Sequence, residues 1–460
     1  MNSIYEEGEV NTMHRIVIIG AGLVGSVLAI FFSKRGFKVD VYDRLPDIRE
    51  QVVSTGKSFN LTLCDRGFRT LDSVGVGDIV RSISVPARGR MVHDIKGNLS
   101  LQPYGNNGEA IYSLSRNDLY VTLLEFAERH FDIGFYFNEK CAGIDLAKPC
   151  VDMKNLKTGE TTRQEAFKVF GADGAHSAVR MQLQKTKSFN FSQQYSEHGY
   201  KELHVPAMNS GWTEEKNVLH FWPRGNSVMI GFPNTDGTFT CSLYMPFEGK
   251  TSFDSIRTEA DLLTLFEEWF PDLIRRMPNL AEEYFANPPN TLLTIRCGPW
   301  SFQDKVLLIG DAAHAILPFY GQGANAGFED CTVLQKCIDE YGSDWKSVFR
   351  EYEMLRRPDM DAIADLCAEH FVNLRDRVGE RAFLLRREVE RKINQMYPDR
   401  YRDLYSMITF TCMRYTEALR IDREQSGIID LIMNMEGIEE KLRTSEADHL
   451  ISELMQLQTV

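Results

Sequence analysis

The sequence predicts an α/β protein with three parts: a parallel-sheet unit, an inserted antiparallel sheet and a C-terminal helical region. Three observations support this fold class. A glycine-rich turn follows a buried-looking β-branched run near the N-terminus, and strand-like runs with tight-turn signals occupy the middle of the chain. Apolar residues spaced three and four apart recur after residue 344. The length of 460 residues exceeds what one core usually organises, so two or more structural units are expected.

The first predicted element is a βαβ unit in the segment HRIVIIGAGLVGSVLAIFFSKRGFKVDVYDR. The run IVII is typical of a strand buried on both faces, and Gly20, Gly22 and Gly25 follow it in G-x-G-x-x-G spacing. A helix is predicted over residues 23–34, and the second strand, KVDVY, ends just before Asp43. In Rossmann-like units the turn binds a pyrophosphate and the acid binds a ribose. The alternative is a glycine-rich turn with a purely structural role.

Two later strands are predicted to end in acidic residues at the same edge of this sheet. Asp173 follows a buried run in VFGADGAHSAVR, with Arg180 on the next helix, and Asp311 follows another in KVLLIGDAAHA. A nicotinamide dinucleotide needs only the first site, whereas an extended flavin dinucleotide would use all three. The sequence therefore favours FAD as the bound cofactor.

The middle and last parts of the chain have different patterns. NVLHFWPRGNSVMIGFPNTDGTFTCSLYMPF contains three strand-like runs separated by PRGN and NTDG, which predicts an antiparallel meander facing the first part across a cleft. LRRPDMDAIADLCAEHFVNLRDRV has helical periodicity. The predicted domains are an FAD-binding domain (14–75, 106–182 and 291–343), a substrate-binding β-sheet domain (76–105 and 183–290) and a C-terminal helical region (344–460).

The acidic composition argues against nucleic acid as a partner. Lys and Arg total 52 against 65 Asp and Glu, and the formal charge of −13 opposes attraction to a phosphate backbone. Nine cysteines without a C-x-x-C pair, and a polar N-terminal segment, predict free thiols in a cytoplasmic protein. The apolar runs are too short or too interrupted to span a bilayer, and the charged C-terminal segment predicts no membrane anchor. A monomer or homodimer is expected.

The three nucleotide-binding signals together resemble the FAD-dependent aromatic hydroxylases. Further segments, among them ARGRMVHD, LQPYG, FNFSQQYSEHGYKEL, LHFWPRG and LYSMITF, resemble the kynurenine 3-monooxygenase family over residues 14–425. The resemblance implies non-covalently bound FAD and hydroxylation of L-kynurenine to 3-hydroxykynurenine with NADPH and O2, a step of tryptophan degradation. It also implies no separate nicotinamide domain.

The resemblance implies that the stretch after Pro318 brings the amides of a helix N-terminus to the flavin ring, with Gly321 and Gly323 at close approach. Such amides stabilise negative charge on a reduced flavin without reorganising. No acid, base or metal is predicted, and His314 is assigned no catalytic role. The predicted cofactor-binding residues are Gly20, Gly22, Leu23, Val24, Gly25, Asp43, Arg44, Arg116, Asp173, Asp311, Gly323, Ala324 and Asn325.

The resemblance also implies a substrate site with a cationic end and an apolar slot. Arg90 and Tyr104 match the family's carboxylate-binding pair, because a guanidinium can hold a carboxylate through two parallel hydrogen bonds. Tyr405 matches a further polar contact. The alternatives are a surface ion pair for Arg90 and ordinary core packing for the slot. The residues predicted to line the slot for the aromatic ring are Ile230, Phe232, Tyr244, Pro318 and Phe319.

Three positions depart from the family pattern. His370 stands where the family usually has asparagine at the amino-acid end of the substrate, Tyr244 replaces a phenylalanine, and Ala324 replaces a methionine. If His370 titrates near neutrality, substrate binding should depend on pH. A different aryl amino acid or aryl carboxylate is therefore an alternative substrate. A flavin-dependent reductase and a non-catalytic flavoprotein are less favoured, because neither explains the predicted carboxylate clamp.

Overall fold

The fold is taken from a computed structural model that describes residues 14–50, 59–105, 108–207, 216–373, 381–442 and 444–457. The remaining parts of the predicted domains lie outside the described residues. Among the helices that are described, none combines the length and the apolar character needed to cross a bilayer. All nine cysteines are described, and all are free thiols, as the sequence predicts.

The strands of the described residues form four sheets. In chain order they are β1 (Arg15–Ile19), β2 (Lys38–Asp43), β3 (Asn60–Leu63), β4 (Val85–Ala87), β5 (Gly89–His93), β6 (Leu99–Pro103), β7 (Ile111–Ser115), β8 (Ile133–Phe137), β9 (Glu139–Asp145), β10 (Cys150–Asn155), β11 (Thr161–Glu165), β12 (Lys168–Gly171), β13 (Asn190–Val205), β14 (Leu219–Pro223), β15 (Val228–Pro233), β16 (Phe239–Pro246), β17 (Asn290–Gly298), β18 (Ser301–Phe302) and β19 (Val306–Leu308).

The helices of the described residues are concentrated in the last third of the chain. In chain order they are α1 (Leu23–Lys34), α2 (Asp65–Val74), α3 (Gly77–Ser82), α4 (Arg116–His130), α5 (Ala178–Leu183), α6 (Glu259–Trp269), α7 (Leu280–Ala286), α8 (Asp311–His314), α9 (Gly323–Tyr341), α10 (Trp345–Val372), α11 (Arg381–Met396), α12 (Leu404–Thr409), α13 (Tyr415–Met433), α14 (Ile438–Lys441) and α15 (Ser445–Leu457).

The first sheet contains the predicted βαβ unit. Its strand order is β18-β19-β12-β1-β2-β8, and every pair is parallel except β18 with β19. The residues of the IVII run in β1 are between 0% and 4% exposed, as expected for a central strand covered on both faces. Helix α1 has the predicted bounds, and β2 extends one residue further to include Asp43. The carboxyl ends of β19, β12, β1 and β2 therefore lie side by side.

The second large sheet contains the predicted meander. Its order is β17-β13-β16-β15-β14-β5-β6, and its pairs are antiparallel except β14 with β5. Side chains alternate between two faces along these strands. One face packs with α6 and α7 in a separate core, and the opposite face joins the core that contains the parallel sheet. The residues at the centre of the separate core include Leu203, Trp222, Met229, Leu243, Phe266 and Phe270.

The remaining elements surround these two sheets. Strands β3, β7 and β4 form one small antiparallel sheet, and β9, β10 and β11 form another. Helix α10 is 28 residues long, and its N-terminus is capped by Asp344, whose side chain accepts a hydrogen bond from the amide of Ser347 at 3.2 Å. The C-terminal part is helical, as the sequence predicts. Its helices α11, α13 and α15 contribute to a third core cluster.

Candidate active site

The glycine turn after β1 brings the backbones of β1 and β12 into close approach. Gly20 has a φ of 103°, and a Cβ atom there would lie 2.4 Å from the carbonyl oxygen of Ala172. Gly22, which precedes α1, has no atom within 4 Å of the position where its Cβ would stand. Because no side chain in the described residues caps α1, its N-terminal amides face this open space and can bind an anion.

The side chains after this turn differ in what they can offer a ligand. Asp43 accepts hydrogen bonds from the amides of Ala21 and Leu45, both at 2.8 Å, one on each carboxylate oxygen. Each oxygen retains a lone pair, so the half-buried Asp43 can still accept from a sugar hydroxyl. Arg44 beside it is exposed. Leu23 and Val24 are apolar residues of the first turn of α1.

Val24 has a packing role in addition to its position near the turn. Its side chain lies against Gly310 and Gly327, where a Cβ would come within 3.2 Å and 2.6 Å of its methyl groups. It therefore packs α1 against α9 and the turn before α8. Gly25 fits closely as well, since a Cβ there would lie 1.9 Å from the carbonyl oxygen of Gly20.

Two of the strand-end acids have different environments. Asp173 accepts hydrogen bonds from the amides of Ala178 and Val179 and from the Ser177 hydroxyl, so its carboxylate is occupied by the N-terminus of α5. Asp311 is exposed and makes no hydrogen bond in the part of the chain that is described. Protein nevertheless surrounds Asp311 closely enough for desolvation to raise the pKa of its carboxyl group. Asp311 is therefore a free acceptor at the base of a recess.

Two arginines lie next to this recess. Arg180 donates to the carbonyl oxygens of Ala312, at 2.8 Å, and Ala175, which joins α5 to the turn that carries Asp311. Arg116 begins α4, and its charge is close enough to lower the pKa of Asp311 against the effect of desolvation. The predicted Arg116 thus lies beside the predicted Asp311 without forming an ion pair in the described residues.

The N-terminus of α9 lies beside the end of β3. Gly321 has a φ of 67°, and a Cβ there would lie 2.5 Å from the Thr62 hydroxyl oxygen. The fully buried Asn325 side chain donates to the carbonyls of Thr62, at 2.9 Å, and Gly321, at 2.7 Å, and accepts from the amide of Cys64 at 3.0 Å. The amide group of Asn325 therefore fixes this turn and is not free for a ligand.

The first residues of α9 leave room for a flat ligand. Gly323 has no atom within 4 Å of its potential Cβ position, and Ala324 is half-buried. Pro318, five residues before the helix, is exposed. A Cβ at Gly22 or Gly323 would fill space that the backbone leaves open at both helix N-termini. These open spaces and the free Asp311 carboxylate fit a long dinucleotide with an anionic centre.

Arg90 is a buried cation without a counter-ion. It lies on β5 and is 7% exposed, and among the described residues it forms neither an ion pair nor a hydrogen bond. The rings of Tyr104, Phe221 and Tyr405 surround its guanidinium carbon at 5.5 to 5.6 Å. The alternative of a surface ion pair is therefore wrong for Arg90. A buried guanidinium that lacks an anion is suited to bind a carboxylate.

The structure brings Tyr104 and Tyr405 together at Arg90. Their rings stack with centroids 5.4 Å apart. A cavity of about 390 Å³ adjoins the three residues, between β6 on one side and α11 and α12 on the other. Charged side chains of the C-terminal region also line this cavity, namely Arg387, Glu388, Glu390, Arg391 and Asp403.

His370, on α10, completes the polar end of the site. Its ring lies 4.6 Å from that of Tyr320 and 6.4 Å from that of Tyr405. Burial, together with the positive charges of Arg90 and Arg387, holds the pKa of His370 well below its usual value. The imidazole is therefore neutral at pH 7, and the hypothesis that it titrates near neutrality is corrected.

The predicted ring slot is a cluster of buried side chains. Ile230 and Phe232 on β15 and Tyr244 on β16 lie on one face of the seven-stranded sheet and are between 6% and 9% exposed. The ring of Phe319 lies 4.9 Å from that of Tyr244 and stacks on Phe371 at 3.9 Å. The sequence interpretation missed Phe371 and Tyr320, which are neighbours in the chain of the predicted His370 and Phe319.

Comparisons with known proteins show the family to which the chain belongs. A family model described as an FAD binding domain matches residues 13–365. The chain is 44% identical to a kynurenine 3-monooxygenase of Flavobacterium johnsoniae, over 97% of this chain and 99% of that protein. It is 37% identical to a kynurenine 3-monooxygenase of Dictyostelium discoideum, over 96% of this chain and 98% of that protein.

The chain belongs to the kynurenine 3-monooxygenase family. The family and the FAD-binding domain that the sequence predicts are thus confirmed. Two solved structures share the fold at low identity. A tetrameric form of 2-methyl-3-hydroxypyridine-5-carboxylic acid oxygenase has a TM-score of 0.64 and 23% identity, over 79% of this chain and 92% of that one. The p-nitrophenol 4-monooxygenase PnpA of Pseudomonas putida has a TM-score of 0.65 and 17% identity, over 90% of this chain and 99% of that one.

Within this kynurenine 3-monooxygenase family member, one further site neighbour follows from a local sequence pattern and another does not. Phe221 follows from alternation along β14, because it shares a face with Ile230. Arg387 carries no such signal, since its approach to His370 depends on how α11 packs against the rest of the protein.

Proposed function

We propose that this protein is an FAD-dependent monooxygenase that hydroxylates L-kynurenine to 3-hydroxykynurenine with NADPH and O2. The observation that carries the proposal is Arg90, a buried guanidinium without a counter-ion, at the end of an aromatic slot. Kynurenine has an α-amino acid at one end and an aniline ring at the other. The cationic pocket matches the carboxylate of the α-amino acid, and the aromatic slot matches the aniline ring.

In this proposal the residues around the two helix N-termini hold FAD. The amides at the start of α1 would bind the pyrophosphate, Asp43 and Asp311 would accept hydrogen bonds from sugar and ribityl hydroxyls, and the amides of Gly323 and Ala324 would face the flavin ring. When bound and reduced, FAD activates O2 and supplies an electrophilic oxygen atom. The described protein residues supply binding, orientation and electrostatics.

The chain's own residues would place the substrate by its two ends. Arg90 would bind the α-carboxylate through charge-assisted hydrogen bonds, with the hydroxyls of Tyr104 and Tyr405 beside it. The neutral imidazole of His370 offers one acceptor nitrogen to the substrate's ammonium group. Ile230, Phe232, Tyr244 and Phe319 would enclose the ring and exclude water. Placing the electron-rich carbon next to the aniline nitrogen is a proximity effect and needs no acid or base.

The experiment that tests this function measures product, not only NADPH oxidation. Purified protein with FAD, NADPH, O2 and L-kynurenine should form 3-hydroxykynurenine, and Arg90→Ala should raise the KM for L-kynurenine by roughly 10² or more because a charge-assisted pair is lost. The analogue of kynurenine without the α-carboxylate should lose most of this difference between the wild type and the variant. An Arg90→Ala protein with an unchanged KM would contradict the proposed orientation.

A second candidate substrate class is suggested by His370. A neutral imidazole offers the substrate's ammonium group one acceptor nitrogen with a single lone pair, whereas an asparagine amide offers a carbonyl oxygen with two. The candidate is an aryl carboxylate or another aryl amino acid. Equal kcat/KM values for L-kynurenine and for its deaminated analogue would favour this second class.

A further inference from the structure

Glu202 is a buried carboxyl group on the face of the seven-stranded sheet that carries the ring slot. It is 7% exposed, and it lies on β13 directly opposite Ser242 on β16. The Ser242 hydroxyl lies 2.9 Å and 3.1 Å from the two carboxyl oxygens. Within the described residues Glu202 has no ion-pair partner. The function proposed above does not use this group.

Tyr244 connects Glu202 to the ring slot. It lies two residues after Ser242 on the same face of β16, and the register of β13 with β16 places Tyr200 opposite it. Tyr244 is close enough to Ser242 for the two side chains to interact, and its ring lies 4.9 Å from that of Phe319. Glu202, Ser242 and Tyr244 therefore form a row of polar side chains on this face of the sheet, which ends in a phenol in the slot.

We propose that Glu202, Ser242 and Tyr244 form a relay that sets whether the ring slot presents a hydrogen-bond donor or an acceptor, which makes Tyr244 a specificity-determining residue. The inference rests on the proposed function, in which Tyr244 lines the slot for the substrate ring. Glu202 and Ser242 act through Tyr244 and are positioning residues.

The direction of the relay follows from the number of protons it contains. When Glu202 is protonated, it can donate to Ser242, Ser242 can donate to Tyr244, and the Tyr244 O–H is free to donate into the slot. When Glu202 is ionised, Ser242 must donate to it, and Tyr244 must donate to Ser242. The slot is then left with a phenol oxygen that only accepts. An aryl ketone, such as that of kynurenine, accepts hydrogen bonds and should bind better to the first state.

The environment of Glu202 determines the pH at which the relay reverses. Burial raises its pKa to about 8, against the opposing effect of the Ser242 hydrogen bond. Tyr200 and Tyr244 lie on the same face of the sheet as Glu202, and Cys241 lies on the opposite face, in the separate core. Burial raises the pKa of all three groups. These three groups do not titrate in the same range as Glu202, and the charge of Arg116 acts against the effect of burial on the pKa of Tyr200.

Lys201, the residue before Glu202, titrates at a pH similar to that of Glu202. Burial lowers its pKa to about 8, but its ammonium group donates to the carbonyls of Tyr284 and Asn287, both at 2.6 Å, in the core on the opposite face of the sheet. Lys201 is outside the relay. A pH effect that it causes would persist in variants of Glu202, Ser242 and Tyr244.

The relay is tested by the pH dependence of KM and kcat for L-kynurenine on both sides of pH 8. In the wild type, KM should rise roughly two- to tenfold as Glu202 ionises, because one hydrogen bond to the aryl ketone is lost. The pH profile of kcat should be the same in the wild type and in the variants. Glu202→Gln, Ser242→Ala and Tyr244→Phe should each remove this step in KM. Tyr200→Phe is the matched control, since it removes a phenol next to Glu202 that is outside the relay, and it should keep the step.

A measurement that needs no activity tests the protonation of Glu202 itself. The infrared carbonyl band of a protonated carboxylic acid should be present at neutral pH in the wild type, disappear through pH 8, and be absent in Glu202→Gln. Thermal unfolding and FAD content show whether each variant is folded. A wild type that does not hydroxylate kynurenine would contradict the proposed function. A wild type that does so, but whose KM profile matches that of Glu202→Gln, would contradict the relay alone.

Discussion

Single residues differ in whether their charge is matched by the protein. Arg90 has no anionic partner in the described residues, whereas the buried Arg356 is paired with both Glu329, at 2.6 Å, and Asp330, at 2.7 Å. Both arginines are almost fully enclosed. Because an unpaired buried charge is costly, the enclosed Arg90 is explained by a ligand that brings the missing carboxylate.

The stability of the protein should depend on pH through Glu202. Its pKa of about 8 in the native protein lies above the value of about 4.3 expected in the unfolded chain. Between these values the native state holds a proton that the unfolded state has released, so the free energy of unfolding falls as pH rises. Relative to Glu202→Gln, the wild type should lose roughly 3 to 5 kcal/mol between about pH 5 and pH 8.

Urea unfolding of both proteins at several pH values measures this difference. Glu283→Gln provides a control, because Glu283 accepts a hydrogen bond from the amide of His204 on the same sheet but is not part of the buried pair of Glu202 and Ser242. Parallel pH dependences for the wild type and Glu202→Gln would show that Glu202 is ionised in the native protein at neutral pH.

Asp311 and Asp173 follow strands of the same sheet but should respond differently to substitution. Asp311→Asn replaces a free carboxylate, which accepts through two oxygens, by an amide that accepts through one, and it should weaken FAD binding by roughly 10- to 100-fold while leaving the Tm of the apoprotein unchanged. Asp173→Ala removes the acceptor for the first amides of α5 and should lower that Tm. Titration of apoprotein with FAD and thermal unfolding distinguish the two. Asp311→Asn protein that retains FAD as tightly as the wild type would remove Asp311 from the cofactor site.

Among the elements, α9 connects the cofactor region to the C-terminal helices. Asp330 on α9 accepts hydrogen bonds from the Gly310 amide, at 3.1 Å, and from Arg356 on α10, and it pairs with His314 at 2.7 Å. The turn that carries Asp311 is thus joined to α10 through a buried ionic cluster. Burial raises the free-energy cost of leaving any member of the cluster unpaired.

Removing the cation of this cluster should destabilise the protein strongly. Arg356→Met leaves Glu329 with Arg66 alone and Asp330 with His314 alone, and it should lower the free energy of unfolding by roughly 3 to 5 kcal/mol. Arg296→Met is the matched control, since Arg296 is 37% exposed in its ion pairs with Asp361 and Asp365, and it should cost about 1 kcal/mol or less. Equal losses in the two variants would contradict the role assigned to the cluster.

The elements with strong local signals could be predicted from the sequence, and contacts between distant elements could not. The glycine spacing and the IVII run predict α1 with its observed bounds, and the NTDG turn predicts the hairpin of β15 with β16. No local pattern indicates that Asn325 uses its whole amide within the turn, or that Asp173 caps α5. These outcomes depend on which backbone groups the completed fold brings near each side chain.

On the scale of the whole molecule, the candidate site lies where three parts of the chain meet. The seven-stranded sheet supplies Arg90 and Tyr244, α10 supplies His370, and α12 supplies Tyr405. The family resemblance indicated these residues before the structure did, because its motifs are distributed along the chain. Composition and periodicity alone would have given only the fold class and the dinucleotide site.

As a hydroxylase of kynurenine, the protein should insert one oxygen atom from O2 into the ring of L-kynurenine. The most direct test follows isotopically labelled O2 through the reaction while NADPH consumption is measured. We expect one labelled oxygen atom in 3-hydroxykynurenine for each NADPH oxidised, and slow NADPH oxidation when kynurenine is left out. NADPH oxidation at the same rate without kynurenine and with no labelled aromatic product would contradict it.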